Sequence, residues 1–186
     1  MSHCTDKVYQ SGIYDYLTMN LDYLRPYAAG GHWADPDMLQ VGNPGLTLEE
    51  ARTDFSIWAM WSAPLIAGND LTEMNGSDVA SQILLNTEVI AIDQDAKNNW
   101  ATRIRNTSTT QIYKKTLAAP GTYAIALVNM SNAAASITLD WSDVGLANVT
   151  AIRNLWTHTD LTPTGASFAA ASVPAHGTVV LKVTGS

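Results

Sequence analysis

Residues 31–39 read GHWADPDML and place two carboxylates directly before an apolar segment, Met38 to Val41. Side chains of a β-strand alternate between its two faces, so Asp35 and Asp37 are expected to point in the same direction. Two carboxylates on one side of a strand end are costly unless they bind something. In barrels and open α/β sheets, strand ends also carry the chemistry. The stretch therefore predicts a buried strand with a binding site at its end, and the alternative is a capped, hydrogen-bonded strand end.

The composition is that of a globular chain with an acidic balance. The 186 residues are 46% hydrophobic and 15% charged, and the formal net charge is -7. The ten Lys and Arg residues form no basic patch, which argues against nucleic acid and anionic membrane surfaces as partners. No apolar run approaches the length of a transmembrane helix. We therefore predict no nucleic-acid partner and no membrane association.

The first half alternates helical patterns with short apolar runs. Residues 9–24 have the apolar spacing of a helix that Pro26 would end, and Thr47 with Glu50 forms a capping box for a helix that starts at Leu48. Ser77 or Asp78 would cap a later helix. The apolar runs Met38–Val41 and 65–68 are predicted to be short buried strands. A further apolar run, 89–92, is not assigned to a helix or a strand. This alternation predicts a parallel sheet or a piece of a β/α barrel. Since a full barrel takes roughly 250 residues, residues 1–98 supply only about two or three of its units.

The second half, residues 99–186, has the pattern of an antiparallel β-sandwich. Turn residues such as Pro120 and Gly121 separate the predicted strands at the spacing typical of such folds. The predicted strands cover residues 112–117, 123–128, 135–141, 149–156 and 178–183. The sequence thus predicts two domains, an α/β part over 1–98 and an all-β part over 99–186.

Four segments resemble the melibiase-type α-galactosidases, glycoside hydrolase family 27. The specific ones are GGHWADPDMLQVGNPGLTLEEARTDFSIWAMWSAPLIAGNDL (residues 30–71) and ILLNTEVIAIDQDA (83–96). The looser ones are IRNLWTHTDL (152–161) and VPAHGTVVLKV (173–183). The chain departs from the family pattern at Ala34 and Asp93, where the family carries Asn. The resemblance is therefore strongest in the first half.

This resemblance implies the last part of a (β/α)8 barrel followed by a C-terminal antiparallel β-sandwich. It also implies retaining hydrolysis of terminal α-D-galactosyl residues, with an α-galactoside oligosaccharide or glycoconjugate as substrate. No cofactor is implied, because carboxylates suffice for nucleophilic and acid/base catalysis. A secreted or lysosomal location is the expectation for the family.

The resemblance also suggests roles for individual residues. Retaining hydrolysis needs a nucleophile and an acid/base carboxylate about 5 Å apart across the sugar, which two residues on one strand face cannot provide. In the family, the second Asp of the motif and the following Met contact the sugar, so this role is expected of Asp37 and Met38, with Asp35 in support. Asp6 aligns with the acid/base residue. The family nucleophile has no counterpart before Asp35, so the chain is expected to be inactive alone.

Three other functions stay open at this point. A non-catalytic sugar-binding sandwich could use Trp100, Trp141 and Trp156, although core positions are the more common place for such residues. Related family activities are α-N-acetylgalactosaminidase and β-L-arabinopyranosidase. A metal site has little support, because the four histidines lack the ligand spacing of one element.

Overall fold

The computed structural model describes residues 13–18, 21–28 and 31–186. The first half contains α1 (Ile13–Thr18), α2 (Leu48–Trp61), α3 (Val79–Leu84) and α4 (Thr87–Asp93), with 3-10 helices at Leu21–Tyr27 and Leu71–Glu73. The strands that follow are β1 (Thr102–Asn106), β2 (Thr110–Thr116), β3 (Thr122–Asn129), β4 (Ala135–Asp140), β5 (Val149–Asn154), β6 (Thr159–Leu161), β7 (Ser167–Val173) and β8 (Thr178–Gly185). A 3-10 helix, Trp141–Val144, follows β4.

The capping signals predict the helix starts correctly. The Thr47 side chain accepts from the Glu50 backbone amide, and the Glu50 carboxylate accepts from the Thr47 amide at 2.8 Å, which is the predicted capping box of α2. Asp78 caps α3 through the Ser81 amide at 2.8 Å. α2 ends in a left-handed residue, Ser62.

Other predictions in the first half differ from the structure. In place of one helix over 9–24, the described residues form α1 and a 3-10 helix that contains Pro26. The run over residues 89–92 lies in α4. The two predicted strands reduce to one parallel bridge between Leu39 and Ala67. The Leu39 amide donates to Ile66 at 2.8 Å, and the Leu39 carbonyl accepts from Gly68 at 2.9 Å.

Gly68 explains how closely these two segments approach. A Cβ at this position would lie 2.7 Å from the Leu39 carbonyl oxygen and 2.9 Å from Met38 Cβ. Only glycine therefore lets the backbone pass at this distance. The bridge runs in the parallel direction of an α/β sheet, but the described residues of the first half form no parallel sheet beyond it.

The second half is the predicted β-sandwich. One antiparallel sheet has six strands in the order β1-β2-β3-β8-β5-β6, and the other pairs β4 with β7. All five predicted strands are present, and β1, β6 and β7 were not predicted. β7 escapes the pattern because its sequence, SFAAASV, is rich in alanine, which is depleted in strands.

β3 belongs to two hydrophobic cores at once. Ala124, Ala126 and Val128 pack in the core shared with α2, whereas Ile125 and Leu127 pack in the core between the two sheets. Alternation along the strand produces this division, because successive side chains point to opposite faces. The helical half thus covers the outer face of the sandwich, and α2 contacts β2, β3 and β8.

Lys115 of β2 joins the two halves from a fully buried position. Its ammonium donates to the Ala59 carbonyl at 2.8 Å, the Ser62 hydroxyl at 2.7 Å and the Ile92 carbonyl at 2.8 Å. These acceptors lie near the C-terminal ends of α2 and α4, where a positive charge is favourable. Burial lowers the pKa of Lys115 to about 8.

Candidate functional site

The two carboxylates of the motif lie in an irregular segment, not on a strand. Asp37 has a φ of 83°, in the left-handed region, and pairing begins only at Leu39. Asp35 Oδ1 accepts from the Asp37 amide at 2.9 Å, and Asp37 Oδ1 accepts from the Met38 amide at 2.7 Å. The expectation that Asp35 and Asp37 lie on one face of a β-strand is therefore wrong. The Asp35 side chain binds the backbone two residues on, and the left-handed backbone of Asp37 is incompatible with a regular strand.

Two side chains of α2 form hydrogen bonds with the backbone of this segment. The indole Nε1 of Trp58 donates to the Asp37 carbonyl at 2.8 Å, and Asp54 Oδ2 accepts from the Gln40 amide at 2.8 Å. Asp54 and Trp58 are four residues apart on α2, so their side chains lie on the same face of the helix. Trp58 is only 2% exposed and meets Tyr16 edge-on, with ring centroids 5.7 Å apart. A rigid, buried support therefore fixes the backbone on both sides of Met38.

Asp54 is a buried carboxylate with one unsatisfied oxygen. Its Oδ1 has no hydrogen-bond partner among the residues that the structure describes. Burial raises its pKa to about 7, and the bond from Gln40 opposes this rise. Burial thus favours the protonated form of Asp54 relative to an exposed aspartate.

The side chains that face outward are polar and apolar together. Asp35 and Asp37 are exposed, and Met38 is 46% exposed. Trp33, four residues before Asp37, is 56% exposed, and its Nε1 donates to Asn98 Oδ1 at 3.1 Å. Such a surface offers hydrogen-bond acceptors beside apolar contact area, which is what a sugar ring with hydroxyl groups and C–H faces requires.

Trp33 also lines an open cleft of about 480 Å³. The other walls come from residues 62–65, which follow α2, from residues 93–96 and from Asn98. Asp93 lines it, and burial raises the pKa of this carboxyl to about 6. Asp93 Oδ2 accepts a hydrogen bond from Gln94 Nε2 at 2.5 Å, whereas Asp93 Oδ1 has no partner within the described part of the chain.

The structure brings three of the four predicted site residues together. Asp35, Asp37 and Met38 are all exposed and are linked by the side-chain to backbone bonds described above, and Asp6 lies outside the described residues. Asp54 and Trp58 were not predicted as site residues. Their signal was a charged residue directly before the largely apolar run FSIWAMW and four positions before a tryptophan, which is unusual for a buried helix.

The tryptophans proposed for a sandwich binding face do not form one. Trp100 and Trp141 are 2% and 3% exposed, respectively, and Trp100 stacks on Trp61 with centroids 4.9 Å apart. Trp156 is half-buried and donates to the Ser56 hydroxyl at 2.9 Å. These residues build the core and the contact between the two halves.

Metal and membrane sites find no support in the described part of the chain. No group of three or more metal-ligating side chains occurs among these residues. His158 contacts Glu88 at 2.8 Å, and His176 lies between Glu50 and Asn132 at 2.9 and 2.7 Å. Among the same residues, no helix has the length and apolar character needed to cross a bilayer.

Comparisons with known proteins agree with this architecture. Residues 5–95 match the family model described as alpha galactosidase A, and residues 107–183 match that of the alpha galactosidase C-terminal beta sandwich domain. An alpha-galactosidase of Cyamopsis tetragonoloba is 40% identical over 71% of this chain and 32% of its own length. Alpha-galactosidase A of Cellvibrio japonicus is 39% identical over 86% of this chain and 41% of its own length.

A solved structure gives the same result. Alpha-galactosidase I from Mortierella vinacea superposes with a TM-score of 0.76 at 34% identity, over 83% of this chain and 41% of that one. The chain thus spans about a third to two fifths of the length of these relatives. Two family models in succession, and relatives near 40% identity, show that the chain belongs to the melibiase-type α-galactosidases, glycoside hydrolase family 27.

Proposed function

We propose that this chain supplies the sugar-contacting part of a retaining α-galactosidase site, on the last portion of a (β/α)8 barrel. The substrate class is an oligosaccharide or glycoconjugate with a terminal α-D-galactosyl residue. The observation that carries the proposal is the Asp37–Met38 pair, which is exposed at its side chains and fixed at its backbone by α2.

Fixed geometry is what this role requires. A sugar is held by hydrogen bonds to its hydroxyl groups and by apolar contact with its C–H faces, and both weaken when the protein groups must be ordered on binding. Asp37 offers an acceptor and Met38 a polarizable apolar contact from adjacent positions. The Leu39–Ala67 bridge supports the barrel, because it pairs in parallel two segments that α2 separates along the chain.

The catalytic step needs a second carboxylate from elsewhere. Asp35 is two residues from Asp37, and Asp35 Oδ1 accepts a hydrogen bond from the Asp37 backbone amide. The two carboxylates therefore cannot lie on opposite sides of an anomeric carbon. We assign the acid/base role to Asp6 and expect the nucleophile from residues outside these 186. The chain alone then binds galactose weakly and does not turn over substrate.

Binding and turnover test the two parts of this proposal separately. In a galactose titration followed by NMR, the Met38 methyl resonance should shift in the wild-type chain. Asp37→Ala should weaken this response at least tenfold. Asp140→Ala is the matched control, because Asp140 is exposed and makes no side-chain capping bond. No shift at Met38, or equal affinity in Asp37→Ala, would contradict the binding role.

Turnover is measured with a chromogenic α-galactoside. The 186-residue chain should be inactive, and a form extended upstream to a complete barrel should be active. Within the active form, Asp6→Asn should abolish turnover. Hydrolysis by the short chain would show that no outside nucleophile is needed, and normal turnover in Asp6→Asn would remove the acid/base assignment. An α-N-acetylgalactosaminide and a β-L-arabinopyranoside run in parallel distinguish the related family activities.

A further inference from the structure

We infer that Trp58 and Asp54 are positioning residues, which hold Asp37 and Met38 in the geometry that contacts the sugar. The inference rests on the proposed function and extends it from the exposed surface to the helix beneath. Neither residue lines the exposed surface, since both are buried, so each acts through the backbone that it binds.

The backbone at this point needs support. Asp37 adopts a φ of 83°, a left-handed conformation that is unfavourable for a residue other than glycine when nothing fixes it. The bonds from Asp35 Oδ1 to the Asp37 amide, and from Asp37 Oδ1 to the Met38 amide, are exposed to water and contribute little rigidity. Local contacts alone therefore leave this segment free to move.

α2 provides the missing anchors on either side of Met38. Trp58 binds the carbonyl of Asp37, and Asp54 binds the amide of Gln40. Both anchors come from a helix that is itself fixed at its start by the capping box and near its end by Lys115. Rigid elements hold functional groups more accurately than loops do, and this helix extends that rigidity to the loop.

The Trp58 bond also explains why an indole occupies this position. A phenylalanine would fill most of the same space against Tyr16 and Trp61. It would lack the N–H donor, and the Asp37 carbonyl would lose its 2.8 Å partner. The test therefore removes the donor and keeps the ring.

The first experiment compares Trp58→Phe with Trp61→Phe. Trp61 is the matched control, because it lies on the same helix, is equally buried and contacts both Trp58 and Trp100, while the hydrogen bond to the Asp37 carbonyl comes from Trp58 and not from Trp61. Both variants are expected to lower the free energy of unfolding. Only Trp58→Phe should weaken galactose binding, by about fivefold, as expected for one lost hydrogen bond. It should also raise amide exchange at Asp37 and Met38 about tenfold. Equal affinity and equal exchange in the two variants would overturn the inference.

The second experiment uses rescue by a conservative substitution. Asp54→Asn keeps a side-chain oxygen that accepts from the Gln40 amide, whereas Asp54→Ala removes it. The rate of amide hydrogen exchange at Gln40 should rise in Asp54→Ala and stay near the wild-type rate in Asp54→Asn. The affinity for galactose should fall in Asp54→Ala and stay near the wild-type value in Asp54→Asn. A purely structural role would give no such order, and its absence would count against Asp54.

The two proposals fail in different ways. If the wild-type chain binds no galactose, the proposed function fails, and the exchange measurements still decide whether α2 positions the segment. If the wild type binds and all variants bind equally, the site stands and the positioning role is wrong.

Discussion

The two halves of the molecule differ in how completely they bury their own apolar side chains. Among the described residues, every exposed large hydrophobic except Ile104 lies before residue 86, and Trp33, Met38, Ile66, Leu71 and Leu85 are examples. In the sandwich, β3 is buried on both faces and paired on both edges. In the first half, parallel pairing is limited to one bridge. The sandwich closes the core between its two sheets by itself, whereas the half that carries the motif keeps large apolar side chains on its surface.

This difference indicates where stability and function reside. Antiparallel pairing and burial on both faces of β3 stabilise the sandwich within itself. The motif depends instead on α2, whose buried side chains pack in the core that both halves share. Changes at the junction, under the motif and at the start of α2 test this dependence in order of decreasing effect.

The largest effect is expected at the junction. Lys115→Met keeps an apolar stem but leaves the Ala59 and Ile92 carbonyls and the Ser62 hydroxyl without their donor. Orphaned buried acceptors each cost about 1 kcal/mol or more, so the free energy of unfolding should fall by about 3 kcal/mol in urea at pH 7. Lys182→Met on β8 is the control, because Lys182 is exposed and its loss should change stability by less than about 0.5 kcal/mol. Equal stability of the two variants would mean that the ammonium does not join the halves.

The next effect is a pH dependence at Asp54. Burial raises its folded-state pKa from 3.8 to about 7, so the folded state binds this proton more tightly than the unfolded state does. The stability from this proton is fully present below about pH 4 and is lost as the pH rises through about 7. The difference in unfolding free energy between wild type and Asp54→Asn, measured from pH 4 to 8, should therefore slope in this window and flatten above it. Asp93, whose pKa is also raised, is present in both proteins and cancels. If the unfolding free energies of the two proteins change with pH in parallel, the raised pKa of Asp54 is contradicted.

The smallest effect is expected at the start of α2. Thr47→Ala removes the oxygen that accepts the Glu50 amide and should cost about 1 kcal/mol. Asp140→Ala, at the start of a short helix without a side-chain capping bond, should cost much less. If both changes cost the same in thermal unfolding, the capping box adds nothing beyond helix propensity.

Much of the fold could be predicted from local patterns. Capping boxes and alternating strands encode their structure within a few residues, and α2, α3 and five strands were predicted correctly. The short parallel segments could not be, because two hydrogen bonds and a close approach at Gly68 decide them, and these depend on residues far apart in the chain. Alanine-rich β7 forms a strand because β4 pairs with it, not because its own residues favour one.

The candidate site could be predicted only in part. The motif GHWADPDML predicts Asp35, Asp37 and Met38 as site residues, and all three side chains are exposed. Their direction could not be predicted from a period of two, because Asp37 is left-handed and the segment is not a strand. A charged residue beside an apolar run marks Asp54 locally, but its contact with Gln40 and that of Trp58 with Asp37 span 14 and 21 residues and follow only from the fold.

The burial of Lys115 also has a chemical consequence. A lysine amine reacts with acylating reagents only when it is neutral and reachable, and here the protein surrounds it completely. Acylation of Lys115 therefore requires a local or global opening that separates β2 from α2 and α4. An acylated side chain could no longer donate three hydrogen bonds at this position, so each opening that is captured becomes irreversible. The rate at which this one lysine is labelled would thus count how often the two halves separate.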